Sequence, residues 1–325
     1  GGLCLFGTRN GYVYCLRASD GALVWRYCAA GRDRRLFAYG QIESVWPVHG
    51  SVLVDDDKKL SDGSPRVYFA AGRSSEFDGG IRLQALDPKS GEVLAKTNIS
   101  LGGGTSKGGI GRQVLPDILS IQNGVLWMRS MGVDKDLAPV KNAPHMFAPR
   151  GFLDATWWHR TYWIYAPAIA GGYTHWPDVG NESPAGRLLV FDGGKVIYGY
   201  GRMSYKMGHG HVQPDMTKDY KLFSEVLDPT SVTKKRRINW TAQLPFVARA
   251  MVLTRDAVLV AGGKSPTETS ANHGPGYFSV ASRENGSKKT ACALPAPPVL
   301  DGMAVTGDGV FISTIDGTIV HLWAM

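Results

Sequence analysis

The segment Gly11-Tyr-Val-Tyr-Cys-Leu-Arg-Ala-Ser-Asp-Gly-Ala-Leu-Val-Trp25 constrains the fold more than any other. Apolar residues alternate on both sides of Asp20-Gly21, the pattern of two half-buried strands joined by a turn. The turn needs a residue that accepts positive φ, and Asp-Gly supplies it. The pattern returns at Gly80-Ile-Arg-Leu-Gln-Ala-Leu-Asp-Pro-Lys-Ser-Gly-Glu-Val-Leu-Ala95, where Leu86 stands for Leu16 and Ser90-Gly91 for Asp20-Gly21. A worn copy leads from Leu227-Asp-Pro to Asn239-Trp240, and Asp316-Gly-Thr-Ile-Val-His-Leu322 holds a shortened one. A recurring strand pair buries its apolar face only by stacking on its neighbours, so a repeat architecture follows.

Extending the pattern along the chain gives about six four-stranded antiparallel units, the terminal ones incomplete. Three strands are expected in 2–28 (2–6, 11–17, 22–27) and four in 43–99 (50–54, 66–72, 80–87, 92–98). A third unit, 113–165, carries strands at 117–121, 124–131 and 157–165. A fourth covers 186–243 (187–191, 194–200, 220–226, 237–242) and a fifth 247–294 (248–254, 257–262, 276–282, 289–293). Residues 299–323 hold three strands. The end units lack their first and last strands respectively. The expectation is therefore a single domain, 1–325, truncated at its N-terminus with further units upstream.

The repeats at 11–25 and 80–96, with fainter ones at 302–323 and 220–243, resemble those of pyrroloquinoline-quinone-type β-propellers. Asp154-Ala-Thr-Trp-Trp-His-Arg-Thr-Tyr-Trp163 is similar to a stretch found in large bacterial propellers of this kind, some from planctomycetes. The resemblance implies an all-β fold, a β-propeller of four-stranded antiparallel blades around a channel. It does not imply catalysis, because many relatives are scaffolds that bind no quinone.

Composition narrows the field. Forty-one glycines and eighteen prolines among 325 residues suit many short strands and turns. No apolar run reaches 18 residues, so no transmembrane segment is expected. The net charge is +8, with basic runs at Arg32-Asp-Arg-Arg35 and Lys234-Lys-Arg-Arg237. Short basic runs are frequent false signals for nucleic acid, so no nucleic-acid partner is assigned and the second run is read as a solvated hairpin loop. Cys4, Cys15, Cys28 and Cys292 form no C-x-x-C pair. A Cys4–Cys15 bridge is conceivable on neighbouring strands, but each cysteine is read as a small buried hydrophobe.

Stretches 29–42, 101–112, 132–150, 166–185, 201–218 and 263–275 interrupt the strand rhythm and are expected to be long loops on the blade faces. Ligand-binding candidates concentrate there: Trp157, Trp158, His159, Arg160 and Tyr162, with His175, Trp176, His209 and His211. Clustered aromatics beside hydrogen-bonding groups bind sugars, peptides or flat cofactors by stacking. Seam packing between blades is the competing reading of the same rings. Asp154 and Arg160 are close enough for a bidentate pair. His209 and His211 would share a face on a strand, and His145, His159, His175 or His273 could add a third metal ligand; in a loop that geometry is not given, and no metal is assigned. Gly102 to Gly109 fails the phosphate-loop pattern, since Gly follows Lys107.

Quinone-dependent relatives hold calcium or a lanthanide through Glu, Asn and Asp and use an Asp base, a Trp beneath the cofactor and often adjacent cysteines. No segment matches those motifs, so no catalytic residue and no cofactor is assigned. The reading is a non-catalytic scaffold whose face loops bind a protein, peptide or glycan partner, placed in the periplasm or cell envelope. The alternatives are a dehydrogenase of alcohols or sugars using pyrroloquinoline quinone (PQQ) with calcium, and an accessory propeller of a larger multidomain enzyme.

Overall fold

The computed structural model describes residues 2–38, 40–49, 52–55, 65–100, 116–129, 131–141, 143–148, 163–167, 181–204, 218–227, 236–266 and 268–323. The chain divides into two compact units, Gly1–Thr161 with Ala166–Gly172, and Tyr162–Tyr165 with Tyr173–Met325.

In the first unit β1 (Leu3–Gly7), β2 (Tyr12–Arg17) and β3 (Leu23–Cys28) form an antiparallel meander. A separate hairpin follows, β4 (Arg35–Ala38) with β5 (Gln41–Ser44). A four-stranded meander is built from β6 (Leu53–Asp55), β7 (Arg66–Ala71), β8 (Ile81–Leu86) and β9 (Val93–Ile99). Then come β10 (Leu119–Gln122), β11 (Val125–Met128) and β12 (Met131–Val133), and the short strand β13 (His145–Phe147).

In the second unit β14 (Trp163–Ala166) pairs with β15 (Ala185–Gly186). Two four-stranded meanders follow. The first is β16 (Leu188–Phe191), β17 (Val196–Arg202), β18 (Tyr220–Val226) and β19 (Arg237–Ala242). The second is β20 (Val247–Leu253), β21 (Ala257–Gly263), β22 (Gly276–Ser282) and β23 (Lys288–Leu294). Strands β24 (Pro298–Thr306), β25 (Gly309–Thr314) and β26 (Ile319–Leu322) close the order. Among the described residues the protein is thus nearly all-β, with three four-stranded antiparallel meanders of the kind that form β-propeller blades and further sheets of two or three strands, each strand paired with its sequence neighbour within its sheet.

Burial explains the strand sequences. Every residue of β7 and of β21 is buried, because these strands have a neighbouring sheet on each face. Val67, Phe69 and Ala71 pack in one cluster with Val13, Trp46 and Val48. Tyr68 and Ala70 face the other way, into a cluster with Leu119, Leu126 and Met128. In the second unit Leu259, Ala261 and Phe278 pack with Ile312, Met303 and Val320. The fourth strands β9, β19 and β23 run along the rim and are mostly exposed.

The repeated turn has a common construction. Gly21 donates its backbone hydrogen to the Arg17 carbonyl, and Arg17 to that of Ala22 (both 2.8 Å). The same two bonds join Gly91 to Asp87 and Asp87 to Glu92, and Gly286 to Ser282 and Ser282 to Ser287. Gly21, Gly91 and Gly286 have φ of +72°, +75° and +73°, whereas Asp20 and Ser90 stay in the negative-φ region. This is a four-residue connection with glycine in the left-handed position, not the two-residue turn that Asp-Gly suggests. A register shift follows between Cys15 and Leu16, between Ala85 and Leu86, and between Val280 and Ala281. A matching shift lies between Ser224 and Glu225. Ala281-Ser-Arg-Glu-Asn-Gly286 is therefore a further copy of the repeat, disguised in sequence because Ser282 replaces the aspartate of Asp87.

The stretch 29–42 is not a loop: Arg35-Leu-Phe-Ala and Gln41-Ile-Glu-Ser pair as β4 and β5 around Gly40, at φ +77°. Three arginines in the four residues preceding Leu36 hide the strand alternation there. The cysteines are free, and Cys4 and Cys292 are exposed rather than buried. Cys15 pairs across the ladder with Leu5, not with Cys4, which puts the two thiols on opposite faces.

Candidate interaction surface

Trp157, Trp158, His159, Arg160, Tyr162, His175, Trp176, His209 and His211 all lie outside the described residues, as do Asp154 and the Gly102 to Gly109 stretch. Two other histidines offered as metal ligands are engaged elsewhere. His145 is fully buried and stacks on Trp127 with ring centres 3.6 Å apart. Its Nδ1 and Nε2 each lie 2.7 Å from a carbonyl oxygen, of Ala143 and Arg129, and burial holds its pKa below the ordinary histidine value. His273 turns Nδ1 to the Gly274 carbonyl at 3.0 Å. Among the described residues no three His, Cys, Asp or Glu side chains converge as a calcium or zinc site requires.

Of the second basic run, Arg236 and Arg237 are described: Arg237 is exposed at the start of β19, whereas Arg236 is not solvated. The Arg236 side chain is 6% exposed and clasps Glu225 through Nε (3.0 Å) and Nη2 (2.8 Å). Burial nevertheless pushes the Glu225 carboxyl up from its usual value, against the pull of that guanidinium.

The first basic run belongs to a more unusual feature, the β4–β5 hairpin. Its inward face carries Leu36 and Glu43, which are paired across the ladder. Leu36 packs on the apolar cluster around Trp46, and Glu43 is 2% exposed. Its outward face carries the opposed pair Phe37 and Ile42, 74% and 70% exposed. The hairpin thus buries a carboxylate and shows two large apolar side chains to solvent, the reverse of a hairpin whose outer face meets only water.

The buried carboxylate fixes the hairpin to the 72–80 connection. Glu43 Oε2 accepts a 2.7 Å hydrogen bond from Arg73 Nη2, whose side chain is 20% exposed. Arg34 Nη1 approaches Asp78 Oδ1 at 3.7 Å, and the indole nitrogen of Trp46 donates to the Asp78 carbonyl at 3.0 Å. Arg82 and Arg32 lie over the Trp46 ring, 4.5 and 5.5 Å from its centre. The same connection presents Phe77, 65% exposed. Sequence reasoning missed this surface; the alternation Arg35-Leu-Phe and Gln41-Ile-Glu about Gly40 signals a hairpin but not which of its faces is covered.

Neither a family model nor a curated protein matches the chain. Similar solved structures include BamB from Moraxella catarrhalis, at TM-score 0.49 and 12% identity, covering 98% of this chain and 81% of that one. The dihydro-heme d1 dehydrogenase NirN in complex with DHE gives TM-score 0.49 and 12% identity over 99% of this chain. This chain spans 61% of the length of NirN. The β-propeller domain of Myceliophteria thermophila Cps50 (Swd1) gives TM-score 0.44 and 7% identity, over 99% of this chain and 94% of that one.

Proposed function

We propose that this protein is a non-catalytic binding scaffold of the propeller class that takes a protein partner on the face carrying the β4–β5 hairpin. The observation that carries the reading is the inverted hairpin: Phe37 and Ile42 point outward while Glu43 is buried beneath them. Exposed large apolar pairs rimmed by charge mark protein-binding surfaces. The Glu43–Arg73 pair holds the display rigid, which lowers the entropic cost of docking. The aromatic and histidine loops named from the sequence are part of the same proposal as further binding segments, in a cell-envelope setting.

Two measurements test it. A photo-reactive phenylalanine analogue at position 37 is expected to give a discrete cross-link in the native cell that Ile42→Ser abolishes. The same analogue at Leu23, exposed on β3, is expected to give none. Titration with PQQ and calcium is expected to leave the quinone absorption unchanged. A saturable spectral shift would replace the scaffold reading with a dehydrogenase.

A further inference from the structure

We infer that the partner segment seated on this hairpin is acidic and carries large apolar side chains, an inference that rests on the scaffold reading above. The ladder pairs Arg35 with Ser44 and Phe37 with Ile42, so these four positions lie on one face of the hairpin, on which Ser44 is buried and Arg35, Phe37 and Ile42 are exposed. A guanidinium therefore stands one pleat from the exposed apolar pair. Its side chain is 59% exposed, and that of Arg34 is 60% exposed. Asp33 occupies only the Nε and Nη2 edge of Arg35, each at 2.9 Å, and does not engage Nη1. From position 32 to 35 three arginines meet one aspartate, within a chain of net charge +8. Asp33 and Asp78 each already face one of these guanidiniums, yet both arginine side chains remain more than half exposed; a cationic segment on Phe37 and Ile42 would add like charge beside them, whereas carboxylates at alternate positions would give them a second partner. The two-residue spacing of Arg35 and Phe37 suits an extended segment in which acidic and apolar residues alternate.

The test uses the full chain and three labelled peptides of about ten residues, long enough to cross both strands. One alternates glutamate with phenylalanine, one replaces glutamate by lysine, and one replaces phenylalanine by serine. The expected result is preference for the glutamate–phenylalanine peptide by at least about tenfold over each of the others, weakening as salt is raised. Phe37→Ser with Ile42→Ser should lower its affinity at least about tenfold. Arg35→Glu should shift preference to the lysine peptide, and Arg35→Lys should keep the original preference. These side chains point outward, so an unchanged melting temperature confirms that each variant is folded. Equal binding of the acidic and basic peptides overturns the inference. So does competition by phosphatidylglycerol vesicles, which assigns the face to a membrane, or a dimer dispersed by Phe37→Ser, which assigns it to a second copy. Absence of peptide binding with the position-37 cross-link intact overturns the acidic partner alone; loss of both removes the scaffold reading too.

Discussion

The indole of Trp25, on the outer strand β3, lies flat against Gly91 in the β8–β9 turn. A Cβ at Gly91 would sit 2.8 Å from the ring's Cδ2, and the ring's Nε1 donates to the Pro88 carbonyl at 3.0 Å. Trp240 repeats the arrangement against Gly286, donating to the Arg283 carbonyl at 3.1 Å. Trp25 and Trp240 occupy the same place in their ladders, opposite Cys15 and Ser224 at the register shift. The third blade position of this kind is Ala95, which leaves no ring to dock. The turn glycine thus has two jobs: it supplies positive φ, and it makes room for a tryptophan of the preceding blade.

Gly21 and Gly91 separate those jobs. Both have positive φ, but a Cβ at Gly21 meets nothing within 4 Å. Gly21→Val should cost roughly 1–2 kcal/mol from backbone strain alone. Gly91→Ala should add a further 1–3 kcal/mol or so from displacing the ring. In a Trp25→Ala background that extra loss should vanish. Urea unfolding of the single and double variants measures it, and additive losses would show that ring and glycine are uncoupled.

Trp240→Ala should lower stability by about 2–3 kcal/mol, less than the roughly 3–5 kcal/mol of a fully buried tryptophan, because its ring is only partly covered. Trp240→Phe keeps the stacking and loses the hydrogen bond to Arg283, so it should fall about 1 kcal/mol below the parent. Calorimetry on the three proteins gives the order.

Acid should weaken the β8–β9 turn. The Asp87 carboxyl is held below its ordinary value chiefly by the backbone hydrogen of Ser90, with help from that of Lys89 and the Ser90 hydroxyl. A depressed carboxylate contributes its stability above the unfolded value, about 4, and loses it as pH falls through the folded one. Melting temperature should therefore drop below about pH 5. Asp87→Asn should show a shallower drop over the same window, and an identical slope would remove Asp87 from the effect.

Arg73→Met should free the hairpin. It strands the 2%-exposed Glu43 without its 2.7 Å partner, and breaking such a pair costs on the order of 3 kcal/mol. Amide exchange in residues 35–44 should rise while that in β7 stays protected. Replacing both partners, Glu43→Leu with Arg73→Met, should restore much of the protection.

Local chemistry was enough to define the strands of the blades. Alternation around glycine turns specified β1–β3, β7–β9 and β16–β23 to within a few residues, and the presence of three strands in 299–323, because period two and positive φ are properties of a short segment. The extent of the turn, its register shift and the disguised copy at 281–286 required hydrogen bonds between residues five apart. Tertiary structure alone decided which residues sit under cover. No local pattern shows that Glu43 would be buried and Phe37 exposed, since that depends on Arg73, thirty residues away, reaching back to the hairpin. Nor could spacing assign Gly91 to Trp25, because the docking partner of each turn belongs to a different repeat and meets it only when blades stack.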